Sequence, residues 1–314
     1  MTVTSRSTLA ATFVAAALTA AIAVPATAAT PPAATVRHTG HPAAPWDGEN
    51  AGLQYQKSVA VAVLKGLFER GDTQVVDRNV RRDYIQHNPT LPNGIDALKN
   101  LGVAIHQQFP DARFNVKQVI SEGDLVIVHS HVQLTPDDRG GSYYDIFRFQ
   151  GGKLAEHWDV IQDVPAVSVN GNDMFSTVSQ PPAHQTGPRW LTTANKRLVT
   201  GFVDQLLVRK DLSAIDRYVT PDYHQHNPTI PDGVTGVKAG LGAYFKQYPQ
   251  LTVTPKRIIA EGDLVAVHSH YVNAPGERGT AVLDLFRVQN GRIVEHWDSL
   301  QEVPETSAND NTMF

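Results

Sequence analysis

Hydrophobic positions change their period along the chain, and they do so twice. Val59, Val63 and Leu67, with Ala60, Leu64 and Phe68 beside them, recur at i, i+4 and i+8, which is one face of a helix. Asp72 is placed to cap a short second helix. An extended piece covers Tyr84–Asn88 and stops at Pro89, and Leu98, Ile105 and Phe109 mark a third helix ended by Pro110. From there the period drops to two. The runs Phe114–Ser121, Leu125–Leu134, Ser142–Phe149 and Lys153–Gln162 read as strands, separated by hairpin turns at Gly123, Gly140-Gly141 and Gly151-Gly152. Helices followed by an antiparallel sheet predict an α+β layer. A strongly curved sheet covered by helices on one face would enclose a pocket.

The same order is then written again. Tyr84-Ile85-Gln86-His87-Asn88-Pro89-Thr90 returns as Tyr223-His224-Gln225-His226-Asn227-Pro228-Thr229, and Glu156-His157-Trp158-Asp159 as Glu295-His296-Trp297-Asp298. Leu198, Phe202 and Leu206 repeat the first stripe, Asp211 the cap, and Val237, Tyr244, Tyr248 and Pro249 the third helix. Every pair is 139 positions apart, and 43 of the 92 positions in 84–175 are identical to 223–314 without a gap. A period this long means two complete domains rather than a solenoid. They are expected at 52–175 and 190–314, joined by a linker over 176–189 and preceded by a Pro- and Ala-containing lead-in at 30–51. Residues 1–29 read as a secretory signal peptide: Arg6, an apolar run from Leu9 to Val24, and the small-residue site Ala26-Thr27-Ala28. The run is shorter than the roughly 20 residues a membrane span needs. The expected product is secreted, with no membrane association after leader removal.

Composition narrows the chemistry. The chain of 314 residues has no Cys, which excludes disulfides, thiolate metal sites and Cys nucleophiles. A net charge of -4 supplies no field for nucleic acid. Neither a Ser nucleophile elbow nor a phosphate loop is spelled.

Polar residues on the strands are the candidates. Along Leu125–Leu134, Val126, Val128, Ser130 and Val132 point one way, and Leu125, Ile127, His129 and His131 the other. Both sets are partly apolar, so burial on both sides is expected. His129 and His131 share a face, as do His268 and His270. They are either cavity imidazoles or core imidazoles held by local partners. Asp145 and Asp284 sit mid-strand, where aspartate is a poor strand former. Pointing inward with Phe147 and Phe286, such a carboxyl would have its pKa raised by desolvation, which suits a general acid or base; the alternative is an ion pair with Arg148 or a neighbour. Glu156 and Trp158 share a face, with His157 and Asp159 on the other, and Trp158 and Trp297 are assigned to the apolar wall. Gln86 and His87 face opposite ways, and His87, with His226 in the copy, is preferred as the one entering the cavity. Tyr84 and Tyr223 complete the expected ligand contacts. Tyr143-Tyr144 becomes Val282-Leu283 and Ile85 becomes His224, so unequal ligand preference is expected of the two halves.

The pattern D-[IL]-F-R…G-[KR]-x-x-E-H-W, carried by Asp145–Arg148 with Gly152–Trp158 and by Asp284–Arg287 with Gly291–Trp297, is similar to that of the SnoaL-like polyketide cyclase family of the nuclear transport factor 2-like superfamily. The resemblance covers essentially the whole of both units, and the His-x-His spelling is nearest to the aldol-condensation subgroup. It implies tandem cone-shaped α+β barrels with a hydrophobic pocket, and an acid/base role for Asp145 and Asp284. In the cyclases a His near the end of the preceding strand also takes part; here the turn Thr135–Gly141 contains none.

These observations support a cofactor-free acid/base enzyme for a small apolar carbonyl compound, of lyase, isomerase or cyclase type. His129 or His131 (His268 or His270) would hydrogen-bond an enolate. The rival readings are a non-catalytic small-molecule binder, its two domains packed as a covalent pseudo-dimer, and a metal site built from His87, His129, His131 and Asp145.

Overall fold

The computed structural model describes residues 47–179 and 187–314. The expected leader at 1–29, most of the expected lead-in and the centre of the expected linker lie outside the described residues. Domain 1 begins with helix α1 (Asp47–Leu64), which continues through one π turn (Lys65–Glu69), and then α2 (Gln74–Asn79). Strand β1 (Val80–Gln86), helix α3 (Ile95–Gln108) and strands β2 (Arg113–Glu122), β3 (Leu125–Gln133), β4 (Gly141–Gln150) and β5 (Lys153–Asp163) follow. Domain 2 repeats the series as α4 (Arg189–Val203), a π turn (Asp204–Val208), α5 (Ser213–Tyr218), β6 (Val219–Gln225), α6 (Gly233–Gln247), β7 (Thr252–Glu261), β8 (Leu264–Val272), β9 (Thr280–Gln289) and β10 (Arg292–Glu302). Asp72 and Asp211 do stabilise the starts of the short helices: Oδ1 accepts the N–H of Gln74 and of Ser213, each at 2.9 Å.

Each sheet has five strands in the order β1-β5-β4-β3-β2, or β6-β10-β9-β8-β7. β1 runs parallel to β5, and β6 to β10; the other pairs are antiparallel. The helices cover one face, where Val59, Val63, Leu67, Val76 and Leu98 meet Val126, Val128, Phe147 and Leu154. This is an α+β cone, occurring twice.

The opposite faces of the two sheets pack on each other. Ile127, Tyr144, Ile146, Trp158 and Val160 of domain 1 form one cluster with Ile259, Leu264, Leu283, Leu285 and Trp297 of domain 2. The central strands β3 and β4, and β8 and β9, are therefore buried on both sides, and each fully buried aliphatic contributes roughly 1.5–3 kcal/mol. Pseudo-symmetric polar contacts close the seam. Glu122 takes Lys196 Nζ at 2.7 Å and the Ala260 N–H at 2.9 Å, while Glu261 takes Lys57 Nζ at 2.6 Å and the Ser121 N–H at 2.8 Å. The segments that follow β5 and β10 each cross onto the other domain.

Candidate active site

The face that meets the helices carries one polar island. Asp145 lies mid-strand on β4, and the ladder pairs it with Asp159 on β5, two positions beyond His157. His157 reaches that face because β5 contains a bulge. Arg148 pairs with Glu156 and Phe149 with Leu154, so Ala155 is the extra residue, and the alternation restarts after it. Leu154, His157 and Asp159 then face the helices, while Glu156, Trp158 and Val160 face the other domain.

Hydrogen bonds fix the protonation of the island. His157 Nε2 donates to Asp145 Oδ1 at 3.0 Å and Nδ1 to Gln86 Oε1 at 2.9 Å. Gln86 Oε1 also accepts the Asn88 N–H at 2.9 Å, which fixes the amide with its oxygen toward the ring. A ring with an acceptor at each nitrogen is an imidazolium. Burial alone disfavours that charge, but the Asp145 hydrogen bond and the charges of Asp159 and Asp145 outweigh it, and the His157 pKa is raised. Asp159 accepts the Asn88 side-chain amide at 2.6 Å. Burial pushes its pKa up to about 6, against the pull of His157 and with the push of Asp145. Asp145 Oδ2 and Asp159 Oδ1 are buried and find no hydrogen-bond partner among the described residues. Phe147 stacks on His157 at 4.8 Å, and Tyr84, buried on the same side, has its hydroxyl pKa raised by burial and by Asp159 and Asp145.

Domain 2 repeats the geometry. His296 joins Asp284 at 3.0 Å and Gln225 at 2.9 Å, Asn227 holds Asp298 at 2.7 Å, and Phe286 stacks on His296 at 4.7 Å. Asp298 is pushed up to about 6, burial being the main cause. Tyr223, like Tyr84, is buried on the helix side. One difference touches the acids: Tyr271 stands where domain 1 has Val132, and its hydroxyl donates to Asp284 Oδ2 at 3.5 Å. Ile85, by contrast, is 37% exposed, so its replacement by His224 lies away from the site.

Several expected partners of Asp145 are on the far side of the sheet. His129 and His131 point at the domain seam, not at the acids. His129 bonds Gln118 Oε1 at 2.5 Å and Ser142 Oγ at 2.9 Å and stacks on Tyr144 at 4.1 Å. Burial, helped by the positive charge of Lys117, lowers its pKa to about 3, so it is neutral. His131 donates to Arg139 O at 2.8 Å and stacks on Phe175. His268 is likewise pushed down to about 3, by burial and Arg257, and His270 donates to Arg278 O at 2.8 Å. An enolate held at Asp145 or Asp284 is out of reach of all four. His87 is a seam residue too, stacked on Trp158 and bonded to Glu156 at 2.8 Å; His226 stacks on Trp297 and bonds Glu295 at 2.9 Å. Trp158 and Trp297 thus build the interface rather than a ligand wall. The metal set of His87, His129, His131 and Asp145 is split by the sheet and is not assembled. What the site does contain, and sequence reasoning did not assign, is His157, Asp159, Gln86 and Asn88 with their copies. The signal was present: His157 and Asp159 share a face opposite a tryptophan, and Gln86 faces opposite His87.

A double cone with a buried Asp–His–Asp island on each inner face defines a class of small α+β proteins with an enclosed polar centre. The SnoaL-like polyketide cyclase model matches residues 58–168 and a SnoaL-like domain model residues 199–296, so the chain is a tandem SnoaL-like protein. Among solved structures it is similar to IdmH from Streptomyces antibioticus, at 24% identity over 34% of this chain and 91% of that one, with a TM-score of 0.30. AclR from Streptomyces galilaeus shows 24% identity over 36% and 82%, with a TM-score of 0.32. TsrD from Streptomyces laurentii shows 20% over 34% and 88%, with a TM-score of 0.29. No curated protein matches the chain.

Proposed function

We propose that domain 1 holds a cofactor-free acid/base centre for a small apolar carbonyl compound, and that domain 2, where the Tyr271 hydroxyl covers Asp284 Oδ2, holds a modified copy of it. The observation that carries this reading is a bare carboxylate oxygen beside a proton-bearing pair. Asp145 Oδ2, buried and without a hydrogen-bond partner, takes a proton from the carbon alpha to a carbonyl. The negative charge that develops on the carbonyl oxygen is met by Asp159, whose raised pKa keeps a fraction of it protonated near neutrality, with the His157 imidazolium behind it. The enolate attacks a second carbonyl of the same molecule, or is reprotonated at another carbon, and Asp145 returns the proton. Atoms balance without a co-reactant. The apolar side chains on this face, among them Phe147 stacked on His157, match an apolar substrate.

The test uses 2-tetralone in deuterium oxide and follows exchange at its alpha carbon. Exchange above the buffer rate is expected from the native protein, with a loss of roughly 100-fold or more in Asp145→Asn plus Asp284→Asn. Equal rates in native and double variant would remove the acid/base reading and favour a binder, which should keep ligand affinity.

A second reading has its own observation: Asp145, His157 and Asp159 each offer a ligand atom within 4.8 Å of the others, as do Asp284, His296 and Asp298. A divalent cation there would need the His157 Nε2 proton removed and the Asp145 bond broken. The double-acceptor geometry therefore favours acid/base chemistry, and metal content of the purified protein decides. We also propose that the protein works outside the cytoplasm, on the strength of the leader; a mature N-terminus close to residue 30 in secreted material is expected.

A further inference from the structure

The segment closing each domain spells N-x-N-x-M-F: Asn170-Gly171-Asn172-Asp173-Met174-Phe175 and Asn309-Asp310-Asn311-Thr312-Met313-Phe314. Neither takes part in the chemistry above, and each lies on the other domain. Asn311 Nδ2 donates to Gln86 O at 2.8 Å and to Asn93 Oδ1 at 2.9 Å. Asn309 Nδ2 donates to Asn88 O and Leu91 O, both at 2.8 Å, and the Ala308 N–H reaches Pro89 O at 2.7 Å. Thr312 O accepts from His87 Nδ1 at 2.5 Å. The first tail mirrors this. Asn172 donates to Gln225 O at 2.9 Å, Asn170 to Asn227 O at 2.7 Å and Ile230 O at 2.9 Å, and Asp173 O accepts from His226 Nδ1 at 2.5 Å.

What the second tail grips is the run 86–93, just where β1 leaves the sheet. That run carries both side chains that hold the island: Gln86 on His157 Nδ1 and Asn88 on Asp159 Oδ2. From the other domain, asparagine amides reach the carbonyls of Gln86, Asn88 and Leu91, and a backbone N–H reaches that of Pro89. A side chain can hold a reacting group only as well as its own backbone is held.

We propose that Asn309 and Asn311 are positioning residues for the domain 1 site, and Asn170 and Asn172 for the domain 2 site, so that each site is completed by the tail of the other domain. The inference rests on reading the Asp–His–Asp islands as the sites. Its consequence is crossed: a change within six residues of Phe314 acts on the island of Asp145, His157 and Asp159, and leaves that of Asp284, His296 and Asp298 in place.

The experiment uses the full chain with histidine labelled by nitrogen-15, the His157 and His296 signals being assigned with His157→Gln and His296→Gln. In Asn309→Ala plus Asn311→Ala the His157 titration midpoint is expected to fall by about half a pH unit or more, the worth of a weakened hydrogen bond, while His296 is unmoved. Asn170→Ala plus Asn172→Ala should do the reverse. If the double change unfolds the chain, Asn311→Ala alone carries the comparison, and Asn311→Gln, which keeps the amide, should restore part of the shift. Both signals unmoved, both moving together, or only the tail's own domain responding overturns the proposal. 2-Tetralone exchange is read on the same samples. A crossed shift without exchange in the native protein keeps the tail inference and removes the catalytic reading; exchange with unmoved midpoints does the opposite.

Discussion

A carboxyl group buried beside another carboxyl keeps its charge only if something donates to it. Asp159 illustrates the balance: burial and Asp145 push it up, while His157 and the Asn88 amide pull it down, and the outcome is about 6. Removing the amide should tip it. In Asn88→Ala the Asp159 midpoint, followed by carbon-13 carboxyl NMR, is expected to rise by roughly one unit, since a hydrogen bond to a charged group contributes about 1.5–3 kcal/mol. Asp298 in the intact second domain provides the reference; a midpoint that stays at the native value would mean Asn88 does not hold the charge. At this scale the sequence was legible in part. Strand parity put Asp145 with Phe147, and that is where it lies. The same parity offered Gln86 and His87 as alternatives, and residue type favoured the wrong one. A histidine is the more reactive group, yet the neutral amide is what a charged imidazole needs as its acceptor.

Elements decide which face a side chain reaches, and two devices do so here. The bulge at Ala155 restarts the alternation of β5, and the turn at Gly140 sets the register of β3 against β4. Gly140 has φ 73°, and a Cβ there would lie 2.3 Å from Val132 O. Gly123 has φ 63° but an open surrounding. Gly123→Ala should therefore cost about 1 kcal/mol, from conformation alone, whereas Gly140→Ala should cost well over that, because backbone must also move. Urea midpoints of the two variants check the order, and equal losses would count against it. Helix stripes, caps and hairpin glycines were all readable, because each is a local rule. The identity of the faces was not. Alternation groups His129 with His131, but a strand apolar on both sides carries no mark telling the helix side from the partner-domain side. That single ambiguity sent the expected enolate donors to the seam.

In the whole molecule, buried groups of opposite habit set a stability curve with two limbs. His129 and His268, in the seam, have pKa values near 3 when folded against about 6.5 when free. Their depressed values favour the folded state above pH 6.5, and that advantage is lost as pH falls toward 3. At pH 4.5 the loss is roughly 2–3 kcal/mol for each. Asp159 and Asp298 act in reverse. Their values near 6, against 3.8 unperturbed, leave the fold untaxed below pH 3.8 and cost it roughly 3 kcal/mol each once pH exceeds 6. The raised values of His157 and His296 add to this alkaline limb, since their stabilisation fades as pH rises through them. Between pH 4.5 and 7.5 the two limbs largely cancel in the native chain, so its own curve should be shallow and only variants separate them. His129→Gln plus His268→Gln should gain stability at pH 4.5 relative to pH 7.5, where loss of packing is the only effect. Asp159→Asn plus Asp298→Asn should gain at pH 8 relative to pH 4.5, at the expense of the proposed chemistry. Urea denaturation of the three proteins across this range distinguishes the outcomes. Parallel curves would show that neither the seam imidazoles nor the inner acids are held as described, whereas curves that diverge at opposite ends tie acid sensitivity to the seam and alkaline sensitivity to the two sites.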